Sequence, residues 1–454
     1  MRGFIFFFIS IFYFQFSLGQ QISKEVSDHI NQRVTEGYNI SIALAYLEGD
    51  EVTYNNKGVT SSLPDGTSVN EHTVYEIGSI SKVFTCIMLA DEVLKGNMKL
   101  NDPVQKYLPD EVIMPERDGK VITLKDLATH TSGLPRMPEN FTPEDYNNPF
   151  ADYTVEQLYQ FLSSYELPRA IGSEYEYSNL GMGLLGHVRE LYSGKTYEQL
   201  LIERIAKPFK MTSTGITLTN SMKERLAKGH NEQLDAVSNW DIITLAGAGG
   251  IRSTVSDMVK FIKANMSNED TALHKAMQLS HKIAYTKDGS IFQLGLGWHF
   301  ANSNKVIWHN GGTGGYKAFT GFLIDGNRGV VVLTNTSSSL DMLGLKVLDD
   351  AINLELPKKT VFPKIIEVNQ DVLETYVGVY ELTPEFKITI TREETQLFLQ
   401  ATGQGQFKIF PSANDEFFLK VVEASISFNS NNEGKVTGLV LNQAGQNLPA
   451  TKVE

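Results

Sequence analysis

Short apolar runs alternate with longer amphipathic ones from about Ile22 to Asn353, a pattern typical of mixed α and β structure. The segment SIALAYLEGDEVTYNNKG predicts two strands joined by a Gly-Asp turn, and SKVFTCIMLADEVLKGNMKL has a helical period that ends near Gly96. Strand-like runs return around Trp298 and Trp308. We therefore expect late strands to pair with early ones in an antiparallel sheet flanked by helices.

The pattern changes after LKVLDDAINLELP, where Pro357 and Pro363 bracket a basic, extended connector. Beyond it, runs such as FKITITR, QLFLQ, SISFN and KVTGLVL alternate with Asn- and Gly-rich turns, which predicts a small all-β unit. We assign the first domain to residues 22–356, the linker to 357–367 and the all-β domain to 368–454. The predicted fold class is α+β, followed by a small all-β domain.

The first residues have the pattern of a secretory signal peptide, with Arg2, a dense apolar run, and the small residues Ser17 and Gly19 before Gln20. We assign residues 1–19 to this peptide, with cleavage near Gly19. The apolar run is short for a membrane span, and an uncleaved anchor is the alternative interpretation. The sequence thus predicts an exported protein, periplasmic or secreted, without a stable membrane span after cleavage.

Charge and cysteine content exclude several classes of partner and site. The formal net charge of −13 makes nucleic acid an improbable partner. The single Cys86 cannot form a disulfide within the chain, and its apolar neighbours indicate buried packing. No His, Cys and carboxylate set has metal-ligand spacing, so we expect neither a metal nor a cofactor and interpret His130 and His187 as structural. The oligomeric state stays open.

Ser79-Ile80-Ser81-Lys82 supplies a nucleophile and a base, because a serine needs an adjacent base to attack at neutral pH. Residues three apart share one face of a helix, so the Lys82 amine can stand beside the Ser79 hydroxyl. Gly78 allows a tight entry into that helix. Taken alone, this motif has an alternative interpretation, in which it is an ordinary helix start whose lysine is exposed to solvent.

A second catalytic group is needed to pass a proton to the leaving atom. Tyr177-Ser178-Asn179 is the candidate, although the same spacing recurs at Tyr54 and Tyr146. Tyr54 lies in a predicted hairpin and Tyr146 in a Pro-rich loop, whereas Tyr177 directly precedes a glycine-punctuated helix. The tyrosine and asparagine there can both project from a tight turn into a cleft.

The third element is HNGGTGGY at His309 to Tyr316, which follows the strand-like run KVIW. Small residues such as Gly311 after a strand let a substrate approach main-chain donors closely. The amide of Gly312, together with that of Ser79, can bind the oxyanion of a tetrahedral intermediate. A flexible surface turn is the alternative for this segment in isolation.

In this order, SISK, YSN and HNGGTGGY resemble the three signature elements of the serine hydrolase family that includes class C β-lactamases, D-alanyl-D-alanine carboxypeptidases, D-aminopeptidases and related esterases. The segments ITLKDLATHTSGLPR and LAGAGGIRSTVSDM also resemble stretches typical of that family. The resemblance covers roughly Ile22 to Asn353, and the β-rich tail resembles the lipocalin-like accessory domain of some members. It implies a β-lactamase/transpeptidase-like fold, in which an antiparallel sheet with helices and a helical subdomain enclose the catalytic serine.

The resemblance also implies a reaction cycle. Ser79 would attack a carbonyl and form an acyl-enzyme, while Lys82 and Tyr177 share the proton transfers, and which of the two is the resting base stays open. Asn179 would orient the substrate amide or the lysine. His309 replaces the lysine of the class C Lys-Thr-Gly motif, so a histidine expected to be only partly charged stands in place of a cation. Efficient β-lactam hydrolysis is thereby put in doubt.

The sequence therefore predicts a serine hydrolase that acts on a small amide or ester, such as a D-amino-acid peptide, an ester or a β-lactam. A peptidase or esterase fits better than an efficient β-lactamase. The alternative is a catalytically weak penicillin- or peptide-binding protein of the cell envelope. The expected partner is a small-molecule or short-peptide substrate.

Overall fold

The computed structural model describes residues 22–358, 362–384, 386–402, 404–443 and 445–453. It has an antiparallel sheet packed between helices, followed by a separate closed β-barrel, which confirms the predicted fold class. The predicted signal peptide lies outside the described residues. Within the described ranges, no helix has the length and apolar character needed to cross a bilayer.

The strands, in chain order, are β1 (Ser41–Glu48), β2 (Glu51–Gly58), β3 (Val74–Glu76), β4 (Glu116–Arg117), β5 (Lys120–Val121), β6 (Arg252–Thr254), β7 (Tyr285–Thr286), β8 (Gln293–Leu294), β9 (His299–Ala301), β10 (Val306–Gly312), β11 (Lys317–Leu323), β12 (Arg328–Thr334), β13 (Gly378–Thr383), β14 (Phe386–Glu393), β15 (Gln396–Ala401), β16 (Gln406–Pro411), β17 (Glu416–Leu419), β18 (Ala424–Ser430), β19 (Val436–Gln443) and β20 (Gln446–Lys452).

The helices are α1 (Lys24–Thr35), α2 (Ser81–Leu94), α3 (Leu124–Ala128), α4 (Val155–Ser164), α5 (Asn179–Ser193), α6 (Tyr197–Leu201), α7 (Asn220–Lys223), α8 (Ala246–Gly249), α9 (Val255–Met266), α10 (Ala272–Ser280), α11 (Asp341–Leu348) and α12 (Gln370–Tyr376), with shorter helical turns at Gly78–Ile80, Val104–Tyr107 and Ile202–Ala206.

The main sheet has the strand order β2-β1-β12-β11-β10-β9-β8-β7. β1 lies between its hairpin partner β2 and the late strand β12, so early and late strands pair as the sequence predicted. Both faces of β1 are buried: Ile42 packs in a cluster with Ile30 of α1, while Ala43 packs in the larger core with Phe261 of α9. The sheet is therefore covered by helices on both faces.

Helix α2 runs through the middle of the larger core. Its residues from Ser81 to Glu92 are all buried, and the ring of Phe84 stacks on Phe261 of α9 with centroids 4.0 Å apart. A helix that is apolar on most sides has to be surrounded by other elements. Cys86 is fully buried here, with its sulfur 3.7 Å from that of Met182, in the packing role that its neighbours indicated.

The C-terminal unit is a closed barrel of β13 to β20, in which β13 pairs with both β14 and β20. Helix α12 precedes the first strand and adds Leu373 and Tyr376 to the interior. The rings of Tyr376 and Phe428 stack there with centroids 4.1 Å apart, and Phe417 packs edge-on against both. The resemblance predicted a lipocalin-like unit, and the barrel interior in this chain is occupied by its own aromatic side chains.

One loop of the barrel contacts the catalytic domain. A Cβ atom on Gly405 would lie 2.8 Å from Cγ of Tyr146, so the main chain there packs directly on the tyrosine ring. Tyr146 is close in sequence to Asn148. The side chain of Asn148 donates to the carboxylate of Asp241 at 2.9 Å and accepts from the main-chain amide of Asp241 at 2.7 Å. The barrel therefore supports a segment of the catalytic domain that is hydrogen-bonded to the loop at Asp241.

Candidate active site

Ser79 lies in a helical turn, Gly78–Ile80, immediately before α2. Gly78 has φ +50°, and a Cβ atom on it would lie 2.6 Å from the amide nitrogen of Gly312, so both the backbone conformation and the space require glycine. Ser81 holds the turn by donating to the carbonyl of Gly78 at 2.7 Å. Ser79 itself is half-buried, which leaves its hydroxyl accessible from the cleft.

Lys82 is fully buried, and its amine stands beside the Ser79 hydroxyl, as the sequence predicted. Its Nζ lies 2.9 Å from Ser79 Oγ, 2.9 Å from Asn179 Oδ1 and 2.6 Å from the carbonyl oxygen of Ala248. Burial holds the pKa of Lys82 well below its usual value, and the positive charge of Arg136 lowers that pKa further. Within the described residues, no carboxylate forms a salt bridge with Lys82.

The contact between Lys82 and the carbonyl of Ala248 depends on the close packing of α5 against the turn α8. A Cβ atom on Gly186 would lie 3.0 Å from Cα of Gly247, and one on Gly183 would lie 2.5 Å from Cδ2 of Leu245. Glycines on α5 therefore allow α8 to approach until its carbonyl at Ala248 reaches the lysine. Nothing in the spacing of the sequence motifs predicted this contact.

Tyr177 and Asn179 project from the start of α5. Ser178 caps the helix by accepting from the amide of Gly181 at 2.8 Å, and its hydroxyl donates to the carbonyl of Pro135 at 2.6 Å. The Tyr177 phenol lies near Ser79, and burial raises the pKa of the phenol above its usual value. The structure thus brings Ser79, Lys82, Tyr177 and Asn179 together. The other tyrosines with the same spacing lie elsewhere: Tyr54 is exposed on β2 and Tyr146 contacts the barrel.

The ring of Tyr177 is surrounded by basic groups. His130 stacks on it with centroids 4.5 Å apart, Lys82 Nζ lies 4.8 Å from its centroid, and Arg136 Cζ lies 5.2 Å away. His130 has φ +58°, and its Nδ1 accepts from the amide of Ser178 at 3.1 Å. Burial, followed by the charge of Lys82, lowers the pKa of His130 well below its usual value. This histidine is a hydrogen-bonded structural residue, as expected, but it also forms part of the active-site wall.

The end of β10 lies directly against the turn Gly78–Ile80, which contains Ser79. A Cβ atom on Gly311 would be 1.9 Å from the carbonyl oxygen of Ile77 and 3.1 Å from the amide nitrogen of Ser79. Any larger side chain would push the strand away from the turn. This contact places the amides of Ser79 and Gly312 in the same part of the cleft, where the sequence predicted an oxyanion site.

Gly311→Ala is expected to reduce kcat on the order of 10²–10³-fold, because displacement of β10 removes a preorganised oxyanion donor. Gly215→Ala is the matched control, at a glycine that has no assigned role in the site. A Cβ there would meet the flexible carboxylate of Glu198 at 3.1 Å and no main-chain atom closer than 3.7 Å. Steady-state kinetics of both variants would test this, and equal losses would contradict the proposed role of the Gly311 contact.

His309 is buried to 1% exposure at the floor of the site. Its Nδ1 lies 2.5 Å from the carbonyl oxygen of Asn310, which can only accept, so Nδ1 carries the proton. Burial, and then the neighbouring His299 at 5.0 Å between ring centroids, hold the pKa of His309 well below its usual value. Burial likewise lowers the pKa of His299 to about 4. The ring expected to be partly charged is therefore neutral at physiological pH.

Several residues of the site were not singled out from the sequence. Ala248 and Arg136 lie within segments that were recognised only as whole stretches, and His299 follows Trp298 in a strand-like run without any motif of its own. Trp240 is a further example, because a Cβ on Gly314 would lie 2.7 Å from its Nε1. Only the folded chain shows that these residues contact Lys82, Tyr177, His309 and Gly314.

A buried ion pair holds Trp240 in place. Arg252 lies 3.4 Å from Glu76 and donates at 2.8 Å to the carbonyl of Trp240 and at 3.0 Å to Asp241, while Glu76 accepts from the amide of Trp240 at 3.0 Å. Arg252 and Glu76 are 4% and 3% exposed, and among the described residues Glu76 has no other cationic partner, so loss of Arg252 would leave an uncompensated buried charge. Glu76 is also close in sequence to Ser79. These hydrogen bonds and ion pairs therefore connect the loop at Trp240 to the turn Gly78–Ile80.

Comparisons with known proteins agree with this geometry. Residues 26–351 match the family described as Beta-lactamase, and residues 363–452 match a domain of unknown function, DUF3471. The D-alanyl-D-alanine-carboxypeptidase/endopeptidase AmpH of Escherichia coli strain K12 is 30% identical over 329 residues, which cover 69% of this chain and 83% of AmpH. Penicillin-binding protein 4* of Bacillus subtilis strain 168 is 24% identical over 409 residues, which cover 84% of this chain and 88% of that protein.

Solved structures show the same fold. The β-lactamase/D-alanine carboxypeptidase from Pseudomonas syringae superposes with a TM-score of 0.62 at 21% identity, covering 72% of this chain and 98% of that chain. A class C β-lactamase superposes with a TM-score of 0.63 at 23% identity, covering 72% of this chain and 97% of the other. Since the family match extends over residues 26–351, more than half of the chain, this protein belongs to the β-lactamase family of serine hydrolases.

Proposed function

We propose that this protein is a serine hydrolase that forms an acyl-enzyme at Ser79 with a small amide or ester. The observation that carries the proposal is the 2.9 Å contact between the buried amine of Lys82 and Ser79 Oγ. A buried amine with a lowered pKa next to a hydroxyl is the arrangement that activates a serine. The relatives named above, a carboxypeptidase/endopeptidase and a penicillin-binding protein, support a D-amino-acid peptide or a related amide as substrate.

Lys82 is the proposed resting base. A neutral amine has two hydrogens and one lone pair, and the Asn179 side-chain oxygen and the Ala248 carbonyl can only accept. Both hydrogens are therefore used by these acceptors at 2.9 and 2.6 Å. The lone pair then faces Ser79 Oγ and can take its proton as the oxygen attacks the substrate carbonyl.

Tyr177 is the proposed proton donor to the leaving group. Its raised pKa keeps the phenol protonated at neutral pH, and the phenol lies near Ser79, with Lys82 Nζ 4.8 Å from the ring centroid. The tetrahedral oxyanion would be held by the amides of Ser79 and Gly312. When the intermediate collapses, the bond to the leaving atom breaks, Tyr177 protonates that atom, and Lys82 returns a proton to Tyr177. Water then hydrolyses the acyl-enzyme by the reverse transfers.

The neutral His309 favours peptidase or esterase chemistry over efficient β-lactam hydrolysis. The class C Lys-Thr-Gly motif has a cation at this position, whereas His309 is buried with a strongly lowered pKa. A β-lactam carboxylate would therefore find no charge at this point of the site. We expect nitrocefin to be a poor substrate compared with p-nitrophenyl esters, which carry no carboxylate.

The proposal can be tested with a panel of nitrocefin, p-nitrophenyl esters, D-alanyl-D-alanine peptides and D-aminoacyl anilides. A fluorescent penicillin and a fluorophosphonate would report acylation, and mass spectrometry would locate the adduct. We expect turnover of at least one compound class and an adduct on Ser79, both absent in Ser79→Ala. Labelling of Ser79 without turnover of any compound would favour the catalytically weak binding protein. Turnover that survives in Ser79→Ala would contradict the mechanism.

We also propose that the protein is exported. The support is the pattern of residues 1–19, with Arg2, an apolar run and small residues before Gln20. N-terminal sequencing of the protein recovered outside the cytoplasm is expected to begin near Gln20. A mature chain that begins at Met1 would contradict cleavage and favour an uncleaved anchor.

A further inference from the structure

The inference concerns how the cleft recognises a charged substrate, and it rests on the function proposed above. His309 cannot supply a positive charge, because it is buried and its Nδ1 proton is already donated to the Asn310 carbonyl. Its Nε2 is also buried, with no hydrogen-bond partner in the described part of the chain. In the neutral ring this nitrogen is an acceptor, which has the wrong polarity for a carboxylate. Anion recognition at this site therefore requires another residue.

Arg136 has the position and the charge for that role. Its guanidinium carbon lies 5.2 Å from the ring centroid of Tyr177, and its charge lowers the pKa of both Lys82 and His130. The side chain is exposed, so a ligand in the cleft can reach it. Among the described residues, Arg136 forms no salt bridge, whereas Arg252 is tied to two carboxylates. This guanidinium, beside the catalytic groups and without a carboxylate partner among the described residues, is free to pair with an anionic ligand.

The main chain at Arg136 is held firmly. Its carbonyl oxygen accepts from the amides of Asn179 and Leu180 at 2.9 and 3.2 Å, which are two of the free amides at the start of α5. The preceding Pro135 accepts from the hydroxyl of the capping Ser178 at 2.6 Å. The arginine is thus attached to the same helix start that carries Tyr177 and Asn179, so its distance from the catalytic groups is set by short, rigid connections.

We propose that Arg136 binds a carboxylate on the leaving-group side of the substrate, and so provides the charge that His309 lacks. We infer the leaving-group side from Tyr177. As the proposed proton donor, Tyr177 must stand next to the leaving atom, and Arg136 lies over the ring of Tyr177. A leaving group with a carboxylate close to the scissile bond, such as an α-amino acid or a hydroxybenzoate, would place two oxygens within reach. The planar guanidinium can bind both oxygens at once.

The competing interpretation is that Arg136 acts only on the catalytic groups, through its packing on Tyr177 and its effect on Lys82. The two interpretations differ in their dependence on the substrate. A carboxylate-binding residue affects only substrates that carry the carboxylate, and mainly through KM. A residue that acts through Tyr177 and Lys82 affects every substrate, and mainly through kcat.

The test compares two acyl esters that share one acyl group, with 3-hydroxybenzoate or its neutral amide, 3-hydroxybenzamide, as leaving group. We expect the full-length wild type to prefer the charged ester by about 10–100-fold in kcat/KM, which is the range of a charge-assisted pair. Arg136→Gln should remove this preference by raising KM for the charged ester. Because the Arg136 charge also lowers the pKa of Lys82, kcat is compared on the high-pH plateau of each variant's pH profile, where Lys82 is neutral, and should change there by less than about threefold. Arg136→Lys should retain part of the preference, because it keeps the charge without the bidentate geometry.

Arg328→Gln is the matched control for net charge, since Arg328 is a partly exposed arginine of β12 that pairs with Glu48. It should keep the full preference. Equal losses on both esters in Arg136→Gln, or a wild type without any preference, would overturn the role of Arg136. Failure of wild type to hydrolyse even the neutral ester through Ser79 would overturn the proposed function, and with it this role. Folding of each variant is checked independently by its thermal unfolding midpoint.

Discussion

Lys82→Met is expected to reduce the rate of acylation on the order of 10⁴–10⁶-fold, because the nucleophile loses its base. The methionine has a similar length and fills the buried space beside Asn179 and Ala248, so the cleft keeps its shape. The rate can be followed with a fluorophosphonate under single-turnover conditions. Lys95→Met is the matched control, since Lys95 lies at the end of the same helix in an ion pair with Asp91. The control should acylate at the wild-type rate.

The same variant is expected to change how stability depends on pH. In the unfolded chain Lys82 keeps its proton up to about its ordinary pKa of 10.5, whereas burial lowers the folded-state pKa well below that value. Between the two pKa values the unfolded state binds more protons, so this lysine makes the free energy of unfolding rise with pH, by up to about 1.4 kcal/mol per pH unit.

Urea unfolding between pH 6 and pH 10 would measure the effect. The difference between wild type and Lys82→Met should grow in favour of wild type as the pH rises through this window. A constant difference would mean that the folded lysine keeps its proton, and would contradict its role as resting base. The activity of wild type should likewise rise with pH through the lowered pKa of Lys82.

Tyr177→Phe is expected to reduce acylation by about 10²–10⁴-fold, the range typical of a lost general acid or base. Only the hydroxyl is removed, so the ring still stacks on His130. The free energy of unfolding should change by no more than about 1.5 kcal/mol, since removal of one hydroxyl costs at most a single hydrogen bond. The loss should appear in kcat for amides more than for p-nitrophenyl esters, whose leaving group needs little protonation.

Tyr175→Phe is the matched control for this prediction. Tyr175 is two residues away, is also half-buried, and packs its ring against Phe292 with centroids 4.8 Å apart. Its variant should acylate within about threefold of wild type. If both variants lost activity equally, the effect would come from the shape of the cleft, and Tyr177 would have no proton-transfer role. Unchanged acylation in Tyr177→Phe alone would remove it from the mechanism.

The parts of the site that depend on local structure were predictable from sequence. A helix start places residues three apart on one face, so Ser79 and Lys82 could be paired before any fold was known. The same holds for Tyr177 and Asn179, because both belong to one capped helix start. The antiparallel sheet followed from the periodicity, and so did most strands of the barrel. β16 and β20 were not identified as strands: Gln406–Pro411 is short and ends in a proline, and Gln446–Lys452 is mostly polar with a proline in its middle.

The remaining features depend on contacts between distant segments. The neutral state of His309 comes from burial beside His299, which the sequence could not show. The carbonyl of Ala248 reaches Lys82 only because glycines on α5 allow α8 to approach. Arg136 lies over Tyr177 because its own carbonyl binds the start of α5. In each case the determinant is a contact that forms only when the chain is folded, between neighbouring strands for His309 and between more distant segments for Ala248 and Arg136.

The strand pairing also determines the order in which the protein can fold. β1 cannot complete its pairing until β12 has been synthesised, and the barrel cannot close until β20 meets β13. Pairing across such sequence distances is slow, because long loops must close first. As the chain emerges from its N-terminal end, the sheet that carries His309 can therefore form before the barrel. If synthesis stopped after β12, the catalytic domain would be nearly complete, but its segment at Tyr146 would lack the contact with the barrel at Gly405.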